Sequence, residues 1–187
     1  MTNLELKNNG LIYDPMDEEI LEMQRGCLKK MDEFNATTSE QMELRQKILK
    51  EMLGAVGENC YIEPPFHGNW GGKNLFFGDN VYANFNLTVV DDVEIEVGNN
   101  VLFAPNCTLT TANHPLEPEL RRKGYQYCKK IKICDNVWLG SNVVVLPGVT
   151  IGENSVIGAG AIVSRDIPAN VLAFGIPCRV VREITNH

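Results

Sequence analysis

Three histidines are available to move protons near neutral pH: His67, His114 and His187. An imidazole suits a general base there because its ordinary pKa is about 6.5. His187 is the last residue and is expected to be frayed. His114 is followed by Pro115, which restricts its backbone. It also heads a segment, 113–130 (NHPLEPELRRKGYQYCKK), unlike the sequence on either side. Arg165, Arg179 and Arg182 gather in the C-terminal stretch, where guanidinium forks are suited to holding phosphate groups. A second basic group, Arg121, Arg122, Lys123, Lys129, Lys130 and Lys132, lies in or beside the segment and reads as a solvated face. The six cysteines, Cys27, Cys60, Cys107, Cys128, Cys134 and Cys178, form no CxxC pair. That excludes a zinc ribbon and a thioredoxin-type motif and leaves mostly buried, reduced thiols.

These groups sit in a chain of 187 residues, of which 44% are hydrophobic and 22% charged. The length fits one compact domain, and the composition is too apolar for a disordered chain. No apolar run approaches the ~20 residues that span a bilayer. The start, MTNLELKNNG, lacks a basic stretch followed by an apolar one, so no secretory signal is expected and a cytoplasmic protein is. A net charge of −7 argues against a general binder of nucleic acid or anionic membranes.

Composition changes near residue 57. Before it, apolar residues recur at helical spacing (Ile20, Leu21, Met23, Leu28, Met31; then Met42, Leu44, Ile48, Leu49, Met52). Two or three short helices are expected within 5–56, packed on the chain beyond residue 57, with Thr37, Thr38 or Ser39 capping the later one and Gly54 and Gly57 stopping it. Beyond 57 the period is six. Aliphatic residues return at Ile133, Leu139, Val145, Ile151, Ile157 and Val163. Four positions after each stand Val137, Val143, Val149, Ser155, Ala161 and Ile167. Earlier blocks obey the same rule at Phe77, Ala83 and Val89 and at Val97, Phe103 and Leu109, with a two-residue slip near 93–96. Such hexads predict a parallel β-helix: three short strands per coil, branched residues inward, and Gly, Asn or Asp at sharp corners. Four to five coils are expected over 58–170, with 113–130 protruding as a loop and 171–187 as a tail. A loop of this length in a compact solenoid is expected to serve function.

Coil arithmetic places the candidates in columns. Ser141 and Ala159 are one 18-residue turn apart, and Asn84 falls within one position of their column. Asp92 falls near the column of His114, and the two columns lie on different parts of the triangle. A site that uses both is assembled most easily between neighbouring chains.

The hexads, TANHP at 111–115, the run 136–170, and GIPCRVVREI at 175–184, with DEFN at 32–35, VGEN at 56–59 and YANFNLTVVDD at 82–92, resemble the maltose and galactoside O-acetyltransferase branch of the hexapeptide-repeat acyltransferases, over residues 10–184. The resemblance implies a left-handed β-helix, an exception to the usual right-handed crossover, with N-terminal helices beside the acceptor. It also implies a homotrimer with three sites between subunits, and acetyl-CoA as donor without a catalytic metal. It makes His114 the general base of a direct transfer. Asn69, Asn84, Asp92 and one of Asp14 or Asp17 become sugar contacts. Trp138, Ser141, Ala159, Ser164, Arg165, Arg179 and Arg182 become coenzyme A contacts. The oxyanion donor is either the N–H of Ser141 or the side chain of Asn84. Gln126 stands where the galactoside type has Met, and the segment GNWGGKN is one residue longer than in that pattern.

Other readings make different demands. A γ-type carbonic anhydrase needs several converging histidines, and only His67 and His114 are internal. A xenobiotic acetyltransferase shares base and donor but takes another acceptor. A non-enzymatic β-helix scaffold needs neither His114 nor the loop. Cys107, four after Phe103, reads as core and not as a nucleophile.

Overall fold

The computed structural model describes residues 1–185, so His187 lies outside the described residues. The six-residue period folds as a three-faced parallel coil. Face 1 stacks Ala55–Val56, Leu75–Phe77, Ile95–Val97, Ile131–Ile133 and Thr150–Ile151. Face 2 stacks Tyr61–Ile62, Tyr82–Ala83, Leu102–Phe103, Trp138–Leu139, Val156–Ile157 and Val171–Phe174, with Arg179–Glu183 antiparallel on its last edge. Face 3 stacks His67–Gly68, Thr88–Val90, Thr108–Thr110, Val144–Val145 and Ile162–Val163. The hexad residues lie in register: Phe77, Val97, Ile133 and Ile151 on face 1; Ala83, Phe103, Leu139 and Ile157 on face 2; Val89, Leu109, Val145 and Val163 on face 3. All are buried in one core, each rung covering the apolar side of the next. Ser155, at an inward position, is satisfied by Pro168 O (2.8 Å) and Val171 N (3.2 Å).

The corners explain the recurrent asparagines. Asn59, Asn80, Asn100, Asn136, Asn154 and Asn170 turn the chain from face 1 to face 2 with φ between 55° and 61°, a region Asn tolerates better than most residues with a Cβ. Their amides also stack. Asn59 donates to Asn80 and Asn80 to Asn100, both at 3.1 Å, while Asn136 donates to Asn154 and Asn154 to Asn170, both at 2.9 Å.

Face 2 has six parallel strands, more than the four to five coils expected. The extra coil begins at Ala55, where Ile62 and Gly68 hold inward positions without a repeated aliphatic pattern. Helices α1 (Asn3–Asn8), α2 (Glu18–Asn35) and α3 (Met42–Met52) precede it. Phe34, Ile48, Leu49 and Met52 join the core and close this end of the coil. Two expectations fail here. Gln41, not Thr37, Thr38 or Ser39, caps α3, and Thr37 is taken instead by Phe34 O (2.7 Å) and Arg45 Nε (2.9 Å). Met23, Met42 and Leu44 face outward although their spacing is helical. Segment 113–130 is a hairpin: Ala112–Asn113 pairs antiparallel with Tyr127–Cys128 around a short helix α4 (Pro118–Arg122).

The outward rows differ. Face 1 presents Phe76, Glu96, Lys132 and Thr150, with Glu96 and Lys132 paired at 3.1 Å. Face 2 presents Tyr61, Tyr82, Leu102, Trp138, Val156 and Leu172. A sheet apolar on both sides calls for a cover.

Candidate active site

At the corner from face 3 to face 1 the coil takes eight residues from Val89 to Val97 instead of six. The extra length carries Asp91 and Asp92, both buried. Asp91 accepts from the backbone N–H of Trp70 (2.7 Å) and of Asn74 (3.3 Å). Burial pushes its carboxyl up to about 6 against the pull of those N–H groups. Asp92 Oδ2 accepts from Asn69 Nδ2 (3.0 Å), and Oδ1 from Trp70 Nε1 (3.2 Å). The Tyr13 hydroxyl stands 3.4 Å from the same Oδ1 and 2.9 Å from Gln126 Oε1. Burial, then the charge of Asp92, raises the Tyr13 hydroxyl well above its ordinary pKa, so it remains a donor. The N-terminal strap reaches this place because Tyr13 bridges Gln126 through its backbone (2.9 and 3.1 Å). From α1, Lys7 sets its ammonium 4.1 Å from the centroid of the Trp70 ring.

The geometry separates Asp14 from Asp17. Asp17 caps α2: Oδ1 accepts from Glu19 N (3.1 Å) and Oδ2 from Asn3 Nδ2 (2.9 Å), so both oxygens are occupied. Asp14 comes directly after Tyr13 and, among the described residues, uses only Oδ1, toward Met16 N (2.9 Å).

His114 stands at the root of the hairpin, exposed, with Nδ1 2.9 Å from the backbone carbonyl of Tyr125. A carbonyl only accepts, so Nδ1 carries a proton, and in the neutral imidazole Nε2 is then the nitrogen with the lone pair. The residue after Tyr125 is Gln126, whose side chain meets the Tyr13 hydroxyl beside Asp92, so the root of the hairpin is tied to the Asp92 corner. Arg121 braces the turn beyond it, donating to Pro115 O (3.3 Å) and Leu116 O (2.8 Å). Arg122, Lys130 and Lys132 are paired with Glu119, Glu94 and Glu96, in keeping with a solvated face.

Asn84, Ser141 and Ala159 occupy the corner from face 2 to face 3. Gly160 N bonds Ser141 O (2.8 Å), while Asn84 lies one position off, on the level of Gly140 two coils away. Gly140 lets the coils close here: a Cβ on it would stand 2.6 Å from Ala159 N. Asn84 Oδ1 accepts from Phe85 N (2.8 Å), which turns its amide nitrogen outward. Trp138 is half exposed on face 2 beside this corner. Ser164 and Arg165 come after the last strand of face 3, whereas Arg179 and Arg182 lie on the antiparallel edge of face 2. The three arginines therefore share the last coil but not one corner.

Within one chain, Asn69, Asp92 and His114 follow face 3 at one corner, to which Tyr13 ties the strap that carries Asp14, and Asn84, Ser141, Ala159 and Trp138 form a second group. Face 3 separates them, roughly 15–20 Å of extended chain. Sequence reasoning missed Lys7, Tyr13, Trp70 and Asp91, and it read Arg121, which braces the hairpin, as part of a solvated face. The signals for two of them were an Asp doublet at the slip and a Trp within the glycine-rich run GNWGG. Cys107 is buried and its thiol is pushed up to about 11 by burial, as befits core. Among the described residues no cluster of three His, Cys, Asp or Glu could hold a metal ion, and no helix is long and apolar enough to cross a membrane.

Known proteins resemble this chain over most of its length. The maltose acetyltransferase hexapeptide capping motif matches residues 8–57, and the bacterial transferase hexapeptide (six repeats) matches 130–165. The galactoside O-acetyltransferase of Lactococcus lactis subsp. lactis is 54% identical over 175 residues, covering 94% of this chain and 84% of that protein. A galactoside acetyltransferase in complex with coenzyme A superposes with a TM-score of 0.96 at 49% identity, over 99% of this chain and 92% of the other. A maltose O-acetyltransferase from Clostridium difficile 630 also gives 0.96, at 40% identity, over 100% and 99%. The hand of the coil is left, as in that fold family.

Proposed function

The chain belongs to the maltose and galactoside O-acetyltransferases of the hexapeptide-repeat family and is an acetyl-CoA-dependent sugar O-acetyltransferase; from that premise we propose that His114 is its general base in a direct transfer. The observation that carries this reading is the bond from His114 Nδ1 to Tyr125 O. It fixes the tautomer and leaves Nε2 as the acceptor of a proton, beside the corner that holds Asp92.

Nε2 takes the proton of a sugar hydroxyl as its oxygen attacks the thioester carbonyl carbon. The tetrahedral oxyanion is met by the N–H of Ser141 or by Asn84 Nδ2, neither of which has an internal partner among the described residues. Collapse breaks the carbon–sulfur bond, and the imidazolium returns the proton to the thiolate. The products are the O-acetyl sugar and coenzyme A, with no covalent enzyme intermediate. Asp92, Asn69 and Asp14 bind the acceptor, Asp14 in preference to Asp17 because it retains a free carboxylate oxygen. Ser141 and Ala159 leave room for the pantetheine arm along the corner, Trp138 lines it, and Ser164, Arg165, Arg179 and Arg182 receive the phosphate end.

Base and donor corner lie on opposite edges of face 3, which favours a site shared between two chains, and the family resemblance makes that assembly a homotrimer. The apolar row on face 2 supports such packing. Six free thiols and a thioester donor fit a cytoplasmic enzyme. The test measures free thiol released from acetyl-CoA with glucosides, galactosides, maltose and chloramphenicol. Turnover on sugars is expected; turnover on chloramphenicol alone would replace the acceptor assignment, and no turnover with no acetyl-CoA binding would leave a scaffold.

A further inference from the structure

We propose that Lys7 is a positioning residue for the acceptor: lying over the face of Trp70, it fixes the indole whose N–H holds Asp92. The inference rests on Asp92 being an acceptor ligand. Helix α1 spans six residues, too short to persist alone. Its one buried residue is Lys7. A Leu or Met there would dock the helix without desolvating a charge, and desolvation does lower the affinity of Lys7 for its proton. The ammonium has no carboxylate in ion-pair contact among the described residues. What it has is the Trp70 ring at 4.1 Å and the nearby negative charges of Asp92 and Asp91.

Trp70 is the hinge of the corner. Its backbone N–H grips Asp91 at 2.7 Å while its ring N–H reaches Asp92 at 3.2 Å. The first bond is short. The second is at the long end for an N–H donor, so a small tilt of the ring breaks it. Asp92 would then keep Asn69 at 3.0 Å and the Tyr13 hydroxyl at 3.4 Å, which Tyr13 already shares with Gln126. A cation over the ring face is strongest when desolvated, and here it holds the ring plane at the angle the Asp92 bond needs. The N-terminal strap thus joins the acceptor site twice, through Tyr13 on one side of Asp92 and through Lys7 and Trp70 on the other.

The test compares Lys7→Met, which keeps the stem and its packing, with Lys7→Arg, which keeps a stacking cation. Lys7→Met is expected to raise the acceptor KM about tenfold while the acetyl-CoA KM, kcat and thermal midpoint stay near wild type. Lys7→Arg is expected to restore most of the loss. Trp70→Phe leaves a smaller aromatic face and removes the N–H that reaches Asp92, so adding Lys7→Met to it should raise the acceptor KM no further. An unchanged acceptor KM in Lys7→Met, full additivity with Trp70→Phe, or a parallel loss of stability and of both substrates overturns the proposal. Asp92→Asn separates the two readings. If it raises the acceptor KM and Lys7→Met does not, only the role of Lys7 falls. If Asp92→Asn has no effect, the acceptor assignment falls with it.

Discussion

Replacing His114 by Ala separates chemistry from folding, because the structure makes the folding cost small. The ring is exposed and makes one side-chain bond, to Tyr125 O. Losing a single such bond costs about 0.5–1.5 kcal/mol, and in a chain of this size each kcal/mol moves the thermal midpoint by about 2–4 °C. Loss of a general base removes about 10²–10⁴ in rate, or about 3–5 kcal/mol of transition-state stabilisation. Thiol release at saturating acetyl-CoA and sugar is therefore expected to fall at least about a hundredfold in His114→Ala. Acetyl-CoA binding by calorimetry and the thermal midpoint should stay close to wild type. A fall of less than about tenfold would refute the base, since positioning and oxyanion donors alone would then account for the rate. A matching loss of acetyl-CoA binding would refute the separation of the two half-sites on which the mechanism is built.

Two further outcomes are expected from the same geometry. Ala159→Trp should fill the donor corner of one chain and His114→Ala removes the base of another, so each homo-oligomer should be nearly inactive; chains mixed by unfolding and refolding together should recover activity if sites are shared between neighbours, and stay inactive if each chain holds a complete site. Asp91, whose carboxyl titrates near 6 in the folded chain rather than at its ordinary 3.8, retains a proton that the unfolded chain has released between those values. Its contribution to stability is full below 3.8 and is lost as pH rises through about 6, a change of about 3 kcal/mol; the stability of Asp91→Asn measured in urea should gain on wild type by about that much from pH 4 to 7, and parallel curves would overturn the assignment.

The coil was legible because its cause is local and periodic. A residue six positions on faces the same core, so Leu139 or Val145 announces its neighbours, and the αL corners draw Asn to Asn136, Asn142 and Asn154. The first coil escaped notice for the converse reason. Its inward positions include Gly68, and part of its covering comes from Phe34 and Leu49 of helices rather than from hexads. The cap of α3 was misassigned because Thr37 is claimed by Arg45, a contact that no local pattern contains.

The candidate site divides along the same line. Ser141 and Ala159 fall one above the other by counting, and His114 marks where the count stops. Tyr13 lies 79 residues from Asp92 and 113 from Gln126 along the chain, so its part in the corner depends on docking of the strap, which has no period. The periodicity that makes half the site readable also keeps the two groups apart within one chain. A solenoid can move a residue along its column by adding a coil, but it cannot carry one corner to another. Asn84 and Ser141 are therefore fixed on one edge of face 3, and Asp92 and His114 on the other. The hairpin at 113–130 brings the base out of the coil without crossing that face. If His114 is the base and Ser141 marks the donor corner, as proposed, only a second chain set beside the first can bring the two together.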